Sequence, residues 1–333
     1  VSEPLVNTQS VGIIGIGKYV PERVLTNAEL EQMVETNDEW IVTRTGIRER
    51  RIAAPEQATS DLAFNAAQRA LSSAGLTAED IDLIVVATIT PDMFFPSTAC
   101  LLQNKLGASK AAAFDLSAAC SGFIYGLATA SSMIATGMYK HALVIGAECL
   151  SRITDYTDRN TCILFGDGAG AVVLGAVPEG RGFKSFELGA DGGGGDLLKV
   201  CGGGSRLPSS AETVADKKHF IHMAGNDVFK FAVRIMGGAA EEALRKAGLE
   251  KSDIDLFVPH QANIRIINSA INRLELPEDK CMINLDKYGN MSAASIPVAL
   301  AEAVEAGRVQ EGDTVVLVGF GGGLTWGASV LNW

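Results

Sequence analysis

Paired cysteines, basic clusters and long apolar runs are all missing from this sequence, and each absence removes a class of protein. None of the six cysteines (Cys100, Cys120, Cys149, Cys162, Cys201, Cys281) belongs to a C-x-x-C pair, so neither a disulfide framework nor a zinc site is signalled. Lys and Arg number 28 against 39 Asp and Glu, a formal net charge of -11. Neutralising phosphates needs the opposite balance, so no nucleic-acid partner is expected. The apolar stretches at 81–89 and 315–320 fall far short of the roughly 20 residues that cross a membrane as a helix. Residues 1–9 hold no basic stretch leading into an apolar one, so no secretory signal is expected and the predicted location is cytoplasmic. What remains is 47% hydrophobic and 20% charged, a composition suited to a globular enzyme with one large core or two fused ones.

An internal repeat organises the chain. Ala70-Leu71-Ser72-Ser73-Ala74-Gly75-Leu76, followed by Asp80-Ile81-Asp82-Leu83, returns as Ala243-Leu244-Arg245-Lys246-Ala247-Gly248-Leu249 and Asp253-Ile254-Asp255-Leu256. From Gly75 to Gly248 the offset is 173 residues, and it also carries Leu143-Val144-Ile145-Gly146 onto Val316-Leu317-Val318-Gly319. Each copy reads as an amphipathic helix stopped by a glycine cap, a polar link, then a buried strand. This predicts an α/β protein built from two halves of like fold, 1–180 and 181–333, with sheets covered on their faces. The glycine-rich stretch 191–210 is expected to be a surface excursion.

Three residues with chemical capability stand at element starts or ends. Cys120 opens a helix expected over 124–136, where free N–H groups and the helix dipole favour a thiolate. A buried structural thiol is the competing reading. His260 ends the apolar strand of the second repeat, whereas His141, His219 and His222 sit among polar or basic neighbours. Asn290 leads into a helix at 296–306, and under the 173-residue offset Cys120 falls on Ala293, so the two helix starts should converge about a pseudo-dyad. Gly12-x-x-Gly15-x-Gly17 has the wrong spacing for a dinucleotide fingerprint, and the glycines of 165–171 lack the Lys-Ser/Thr ending of a P-loop. The run Gly321-Gly322-Gly323 after an apolar strand can aim a backbone N–H at a reacting carbonyl.

Together the segments D-x-S-x-A-C-S-G, V-P-H-Q-A-N, G-N-x-S-A-A-S and G-F-G-G-G-x-T-W-G, with Asn37-Asp38-Glu39-Trp40-Ile41 and Thr43-Arg44-Thr45-Gly46-Ile47-Arg48, resemble the β-ketoacyl-acyl-carrier-protein synthase III family over nearly the whole chain. The resemblance implies a thiolase-like five-layered αβαβα sandwich, a homodimer, and a Cys-His-Asn site of Cys120, His260 and Asn290. It implies an acyltransferase that initiates fatty acid biosynthesis. Cys120 would take an acyl group from an acyl-coenzyme A primer such as acetyl-CoA, and malonyl-acyl-carrier protein would then decarboxylate and attack that thioester. The products would be 3-oxoacyl-carrier protein, coenzyme A and CO2, with coenzyme A entering as a substrate thioester and no resident cofactor or metal. By the same resemblance Gly322 supplies an oxyanion donor and Phe320 screens the cysteine. Thr36, Trp40, Arg44, Arg159 and Asn226 hold coenzyme A, Phe95 crosses a dimer to line the acyl pocket, and Lys230 and Arg265 meet the carrier protein. Asn272 stands where family members can be basic, which thins that patch.

Two other readings use the same residues. A specialised condensing enzyme would take a longer or aromatic primer, or a different acceptor. A cysteine hydrolase is suggested by Cys, His and Asn in that order, as in papain-like proteases, but the C-G-[SA]-C-[WY] signature is absent and the repeat has no place in it.

Overall fold

The computed structural model describes residues 9–333; residues 1–8, on which the reading of the N-terminus rests, lie outside the described residues. In chain order the principal elements are β1 (Val11–Tyr19), α1 (Thr59–Ala74), β2 (Leu83–Ala87), α2 (Thr98–Leu106), β3 (Ala112–Leu116), α3 (Gly122–Ala135), β4 (Ala142–Cys149) and β5 (Asp167–Ala176). The chain continues through β6 (Gly182–Ala190), α4 (Gly225–Ala247), β7 (Leu256–Pro259), α5 (Ile264–Leu274), α6 (Ser295–Glu305), β8 (Thr314–Gly321) and β9 (Thr325–Asn332).

The 173-residue repeat is written into both sheets. The first runs β1-β5-β4-β2-β3 and the second β6-β9-β8-β7; in each the repeat strands (β2 with β4, β7 with β8) are parallel and the strand next to β4 or β8 is antiparallel, while β3 adds a further parallel strand to β2 in the first. The position of β3 is reduced in the second sheet to one parallel bridge between Phe257 and Cys281. Both repeat helices end on left-handed glycines, Gly75 at φ 66° and Gly248 at φ 71°, a conformation that costs an L side chain about 1 kcal/mol.

Five layers follow from which faces are apolar. Helix α1 packs Leu62, Ala66 and Ala70 against Ile84, Val86, Ile145 and Val173 of the first sheet. The opposite face of that sheet and one face of the second enclose α3 and α6, through Phe123, Ile124, Leu127, Ile296 and Leu300. Helices α4 and α5 cover the remaining face over Phe257, Val316 and Val318. Every residue of β2 and β4 is buried, as expected of strands covered on both sides. No helix of the described residues is long and apolar enough to cross a membrane.

Glycine lets backbones approach where the site is built. A Cβ on Gly146 of β4 would lie 2.1 Å from the Ala293 carbonyl oxygen, and one on Gly321 of β8 would lie 2.5 Å from the Cys120 nitrogen. Gly15 and Gly17 likewise seat α1 on β1, which is close packing and no nucleotide loop.

Candidate active site

Cys120 and Asn290 enter the site from turns that precede the two central helices. Residues Ala119–Ser121 form a single 3-10 turn before α3, and Ser292–Ala294 form the same turn before α6. Helix α3 begins at Gly122 and α6 at Ser295, a turn or less earlier than the sequence suggested. The Cys120 turn is fastened to β9, because Thr325 Oγ1 donates to the Ala118 carbonyl at 3.0 Å.

Cys120 separates two adjoining cavities. One, of about 330 Å3, is apolar and is lined by Ile89, Leu150, Ile153, Leu198, Ile221 and Gly322 among others. The smaller, of about 100 Å3, brings Cys120 together with His260, Asn290 and Phe320. The sequence-predicted triad therefore converges on one space. The stretch 191–210 does more than run over the surface: its strand Leu198–Val200 pairs with Ile221–Met223 and walls the larger cavity.

Electrostatics correct one expectation. The helix start was expected to favour the thiolate, yet burial pushes the Cys120 thiol up to about 12. Removing water from a thiolate costs more than the nearby N–H groups return. Burial also pushes the His260 imidazole down to about 3, so it is neutral at pH 7. Its Nδ1 lies 2.5 Å from Ser295 Oγ, the His260 backbone N–H donates to the Val318 carbonyl, and the ring meets Phe320 edge-on at 5.6 Å between centroids. The Ser295 hydroxyl has one proton and two acceptors in reach, His260 Nδ1 and the Ser292 carbonyl at 2.9 Å. Asn290 Oδ1 accepts from the Ser292 N–H at 2.8 Å, which turns the amide nitrogen away from that bond and leaves it free to donate.

The remaining predicted residues fall into three groups. Two guanidiniums stand over the Trp40 indole, Arg44 Cζ at 4.7 Å and Arg159 Cζ at 4.6 Å from its centroid. Its helix, Asp38–Thr45, is tied to the smaller cavity because Asn263, which lines that cavity, donates to the Arg44 carbonyl at 2.9 Å. Thr36 Oγ1 is buried without a partner, and exposed Asn226 follows Gly225 on the cavity rim. Lys230 and Arg265 are exposed on the neighbouring helices α4 and α5, with Arg265 Cζ 4.9 Å from the Phe229 ring centroid; Asn272 is exposed on α5. Phe95 points outward, 84% exposed beside Phe94 at 82%, and lines neither cavity of its own chain. His141 and His219 are half-buried, with ring contacts to the Asp80 carbonyl and Thr213.

Sequence reasoning missed four residues. Leu198 was lost in a glycine-rich stretch. Glu148, Ser292 and Ser295 are buried polar groups behind the triad. Only the offset, which sets Ser292 on Ala119, and the motif G-N-x-S-A-A-S, which contains both serines, marked any of them.

A five-layered sandwich of two like halves, with Cys and Asn before the two central helices meeting a His at the end of a strand, defines a thiolase-fold condensing enzyme. Models described as "3-Oxoacyl-[acyl-carrier-protein (ACP)] synthase III" and its "C terminal" part match residues 114–192 and 244–333. The chain belongs to the β-ketoacyl-[acyl-carrier-protein] synthase III family. It is 63% identical to the family member of that name from Desulfitobacterium hafniense, over 97% of this chain and 98% of the relative. A crystal structure of the synthase III from Thermus thermophilus superposes with a TM-score of 0.91 at 54% identity, covering 97% of this chain and 99% of the other. The priming β-ketosynthase of the R1128 polyketide pathway gives the same TM-score of 0.91 at 36% identity, over 100% of this chain and 98% of that one.

Proposed function

We propose that the chain condenses an acyl-coenzyme A primer with malonyl-acyl-carrier protein, through a thioester on Cys120, to give 3-oxoacyl-carrier protein, coenzyme A and CO2. This is the step that initiates fatty acid biosynthesis. The observation that carries it is the meeting of Cys120, His260 and Asn290 in one buried space beside an apolar cavity of about 330 Å3.

In the first stage Cys120 Sγ attacks the primer thioester. The Cys120 and Gly322 N–H groups hold the oxyanion, where losing one donor costs about 10² to 10³ in rate. The apolar cavity takes the acyl chain. In the second stage the malonyl thioester oxygen sits between the Asn290 amide and His260 Nε2. Both donate to it as the enolate forms and CO2 leaves. His260 donates when the Ser295 hydroxyl bonds Nδ1, because the ring proton then resides on Nε2. The enolate carbon attacks the Cys120 thioester, whose thiolate is a good leaving group. Phe320 keeps water from the cysteine.

Coenzyme A stacks its adenine on Trp40 and Arg159, with Thr36, Arg44 and Asn226 along the rest. It is a substrate, and no resident cofactor is invoked. Lys230 and Arg265 receive the acidic carrier protein, and exposed Phe94 and Phe95 support a homodimer in which Phe95 reaches the partner's acyl cavity. The two halves divide at residue 180, between the end of β5 at Ala176 and the start of β6 at Gly182. The location is cytoplasmic. A second reading, a condensing enzyme specialised for another primer or acceptor, draws on the equal superposition with the polyketide priming enzyme; primer preference separates the two.

The experiment separates the half-reactions. Cys120→Ala should lose acyl transfer from coenzyme A yet retain malonyl decarboxylation, while His260→Ala and Asn290→Ala should acylate but condense poorly. Full condensation by Cys120→Ala, or unchanged condensation by both others, contradicts the assignment.

A further inference from the structure

A His260 that holds its proton on Nε2 for condensation cannot take the proton of Cys120 during acylation, and the thiol is too buried to ionise unaided at neutral pH. Acylation therefore needs another acceptor. One stands a single hydroxyl away.

Glu148, near the end of β4, is fully buried, and no step of the reaction above uses it. Its carboxylate accepts from Thr90 Oγ1 at 2.6 Å, Thr88 Oγ1 at 3.1 Å and the Ile89 N–H at 3.2 Å, and none of these is a cation. Ser292 Oγ is buried too and completes a full hydrogen bond with no group. Ser292 shares the lining of the larger cavity with Cys120, and its turn lies against β4, where the Ala293 carbonyl passes Gly146 two residues before Glu148; its hydroxyl lowers the proton affinity of both the Cys120 thiol and the Glu148 carboxylate. The same residue is held at φ 46°, a conformation that a non-glycine residue keeps only where its surroundings impose it. A buried hydroxyl without a partner, strained and set between a nucleophile and a carboxylate, asks for a role.

We propose that Ser292 and Glu148 form a proton relay that accepts the Cys120 proton during acylation, leaving His260 protonated on Nε2 for condensation. The inference rests on the two-stage reaction proposed above. As Sγ forms its bond to the primer carbonyl carbon, the thiol proton passes to Ser292 Oγ and the Ser292 hydroxyl proton passes to Glu148. The carbonyl π pair moves to oxygen. On collapse it re-forms the double bond and breaks the carbon–sulfur bond to coenzyme A, whose thiolate recovers the proton from Glu148 by the same path.

The electrostatics agree with this geometry. Burial pushes Glu148 up to about 7, so near neutrality it exchanges a proton readily in either direction. The groups around it are the Thr88 and Thr90 hydroxyls at the end of β2, Ser292 before α6, Cys120 before α3, and Cys149 on its own strand, with Asp167 and Arg152 beyond Cys149. The sign follows from the charge: above its pKa Glu148 is an acceptor, below it is not.

The test compares wild type, Glu148→Gln, Ser292→Ala and Glu148→Asp by rapid-quench mass spectrometry of acyl-enzyme formation from acetyl-coenzyme A, alongside malonyl decarboxylation. Acylation should fall about 100-fold in Glu148→Gln and Ser292→Ala, as loss of a proton acceptor does, with at least a tenfold smaller effect on decarboxylation. Glu148→Asp should recover part of the rate. In the wild type, alkylation of Cys120 by iodoacetamide should rise with pH through about 7, following Glu148, a readout that needs no variant to fold. Wild-type acylation rates in both variants, or equal losses in the two half-reactions, would overturn the relay. So would a wild-type alkylation profile with no rise near pH 7. Absence of any acyl group on wild-type Cys120 would overturn the two-stage reaction itself.

Discussion

Ala119 and Ser292, 173 residues apart in the chain, hold the same left-handed backbone, φ 45° and φ 46°. Each is the first residue of the turn that opens a central helix. The duplication has thus reproduced the nucleophile's turn in the second half, and the copy presents Asn290 and Ser292 to the original. β4 accommodates the copy only because Gly146 has no side chain where the Ala293 carbonyl passes. Gly146→Ala should therefore destabilise the fold by about 3 kcal/mol or more, because overpacking against backbone finds little room to relax. Urea unfolding measures this, and a change below about 1 kcal/mol would contradict it.

Ser295 Oγ lies 2.5 Å from His260 Nδ1, and Ser295 lines neither cavity. Ser295→Ala should leave acylation of Cys120 nearly intact while lowering decarboxylation about tenfold, since Nε2 loses the partner that keeps its proton in place. Ser295→Thr, which retains the hydroxyl, should recover part of the loss. Equal losses in both half-reactions of Ser295→Ala would assign the residue to packing alone.

Two guanidiniums face Trp40 within 5 Å of its centroid. Cation–π contacts contribute about 0.5–1 kcal/mol each at exposed sites, and an adenine entering this stack would gain from both neighbours. Trp40→Ala should raise KM for the primer thioester about tenfold with little change in kcat. Steady-state kinetics with acetyl-coenzyme A would show this, and an unchanged KM would remove Trp40 from the binding site.

Phe94 and Phe95 stand side by side on one loop at 82% and 84% exposed, an apolar patch of the kind that marks an interaction surface. Replacing both with serine should shift the particle mass by light scattering from dimer toward monomer, and should alter primer selectivity if Phe95 lines the partner's cavity. A wild-type monomer would contradict the proposed assembly.

Much of this architecture was legible because the repeat exposes it: a helix, a glycine cap and a buried strand returning after 173 residues fix two like sheets before any contact is known. Cys120, His260 and Asn290 each stand where an element begins or ends, but position left a structural thiol as the competing reading, and it was the order of the motifs around them that singled them out. Residues that act through others were not legible. Glu148 reads in the sequence as one more residue of an apolar strand, and only the fold closes Ser292 over it. Burial is equally silent in a single sequence. Arg50, set among the charges of 44–51, is fully buried on the carbonyls of Leu25 and Ile163, and the Cys120 thiol is raised where position on a helix alone suggested the reverse.

The measurement that bears most directly on the account is intact-protein mass spectrometry after incubation with a panel of acyl-coenzyme A thioesters, followed by mapping of the modified residue. One acyl group per chain, found on Cys120 and lost in Cys120→Ala, is the predicted result. An acyl group on another cysteine such as the exposed Cys100, or undiminished acylation of Cys120→Ala, would contradict it.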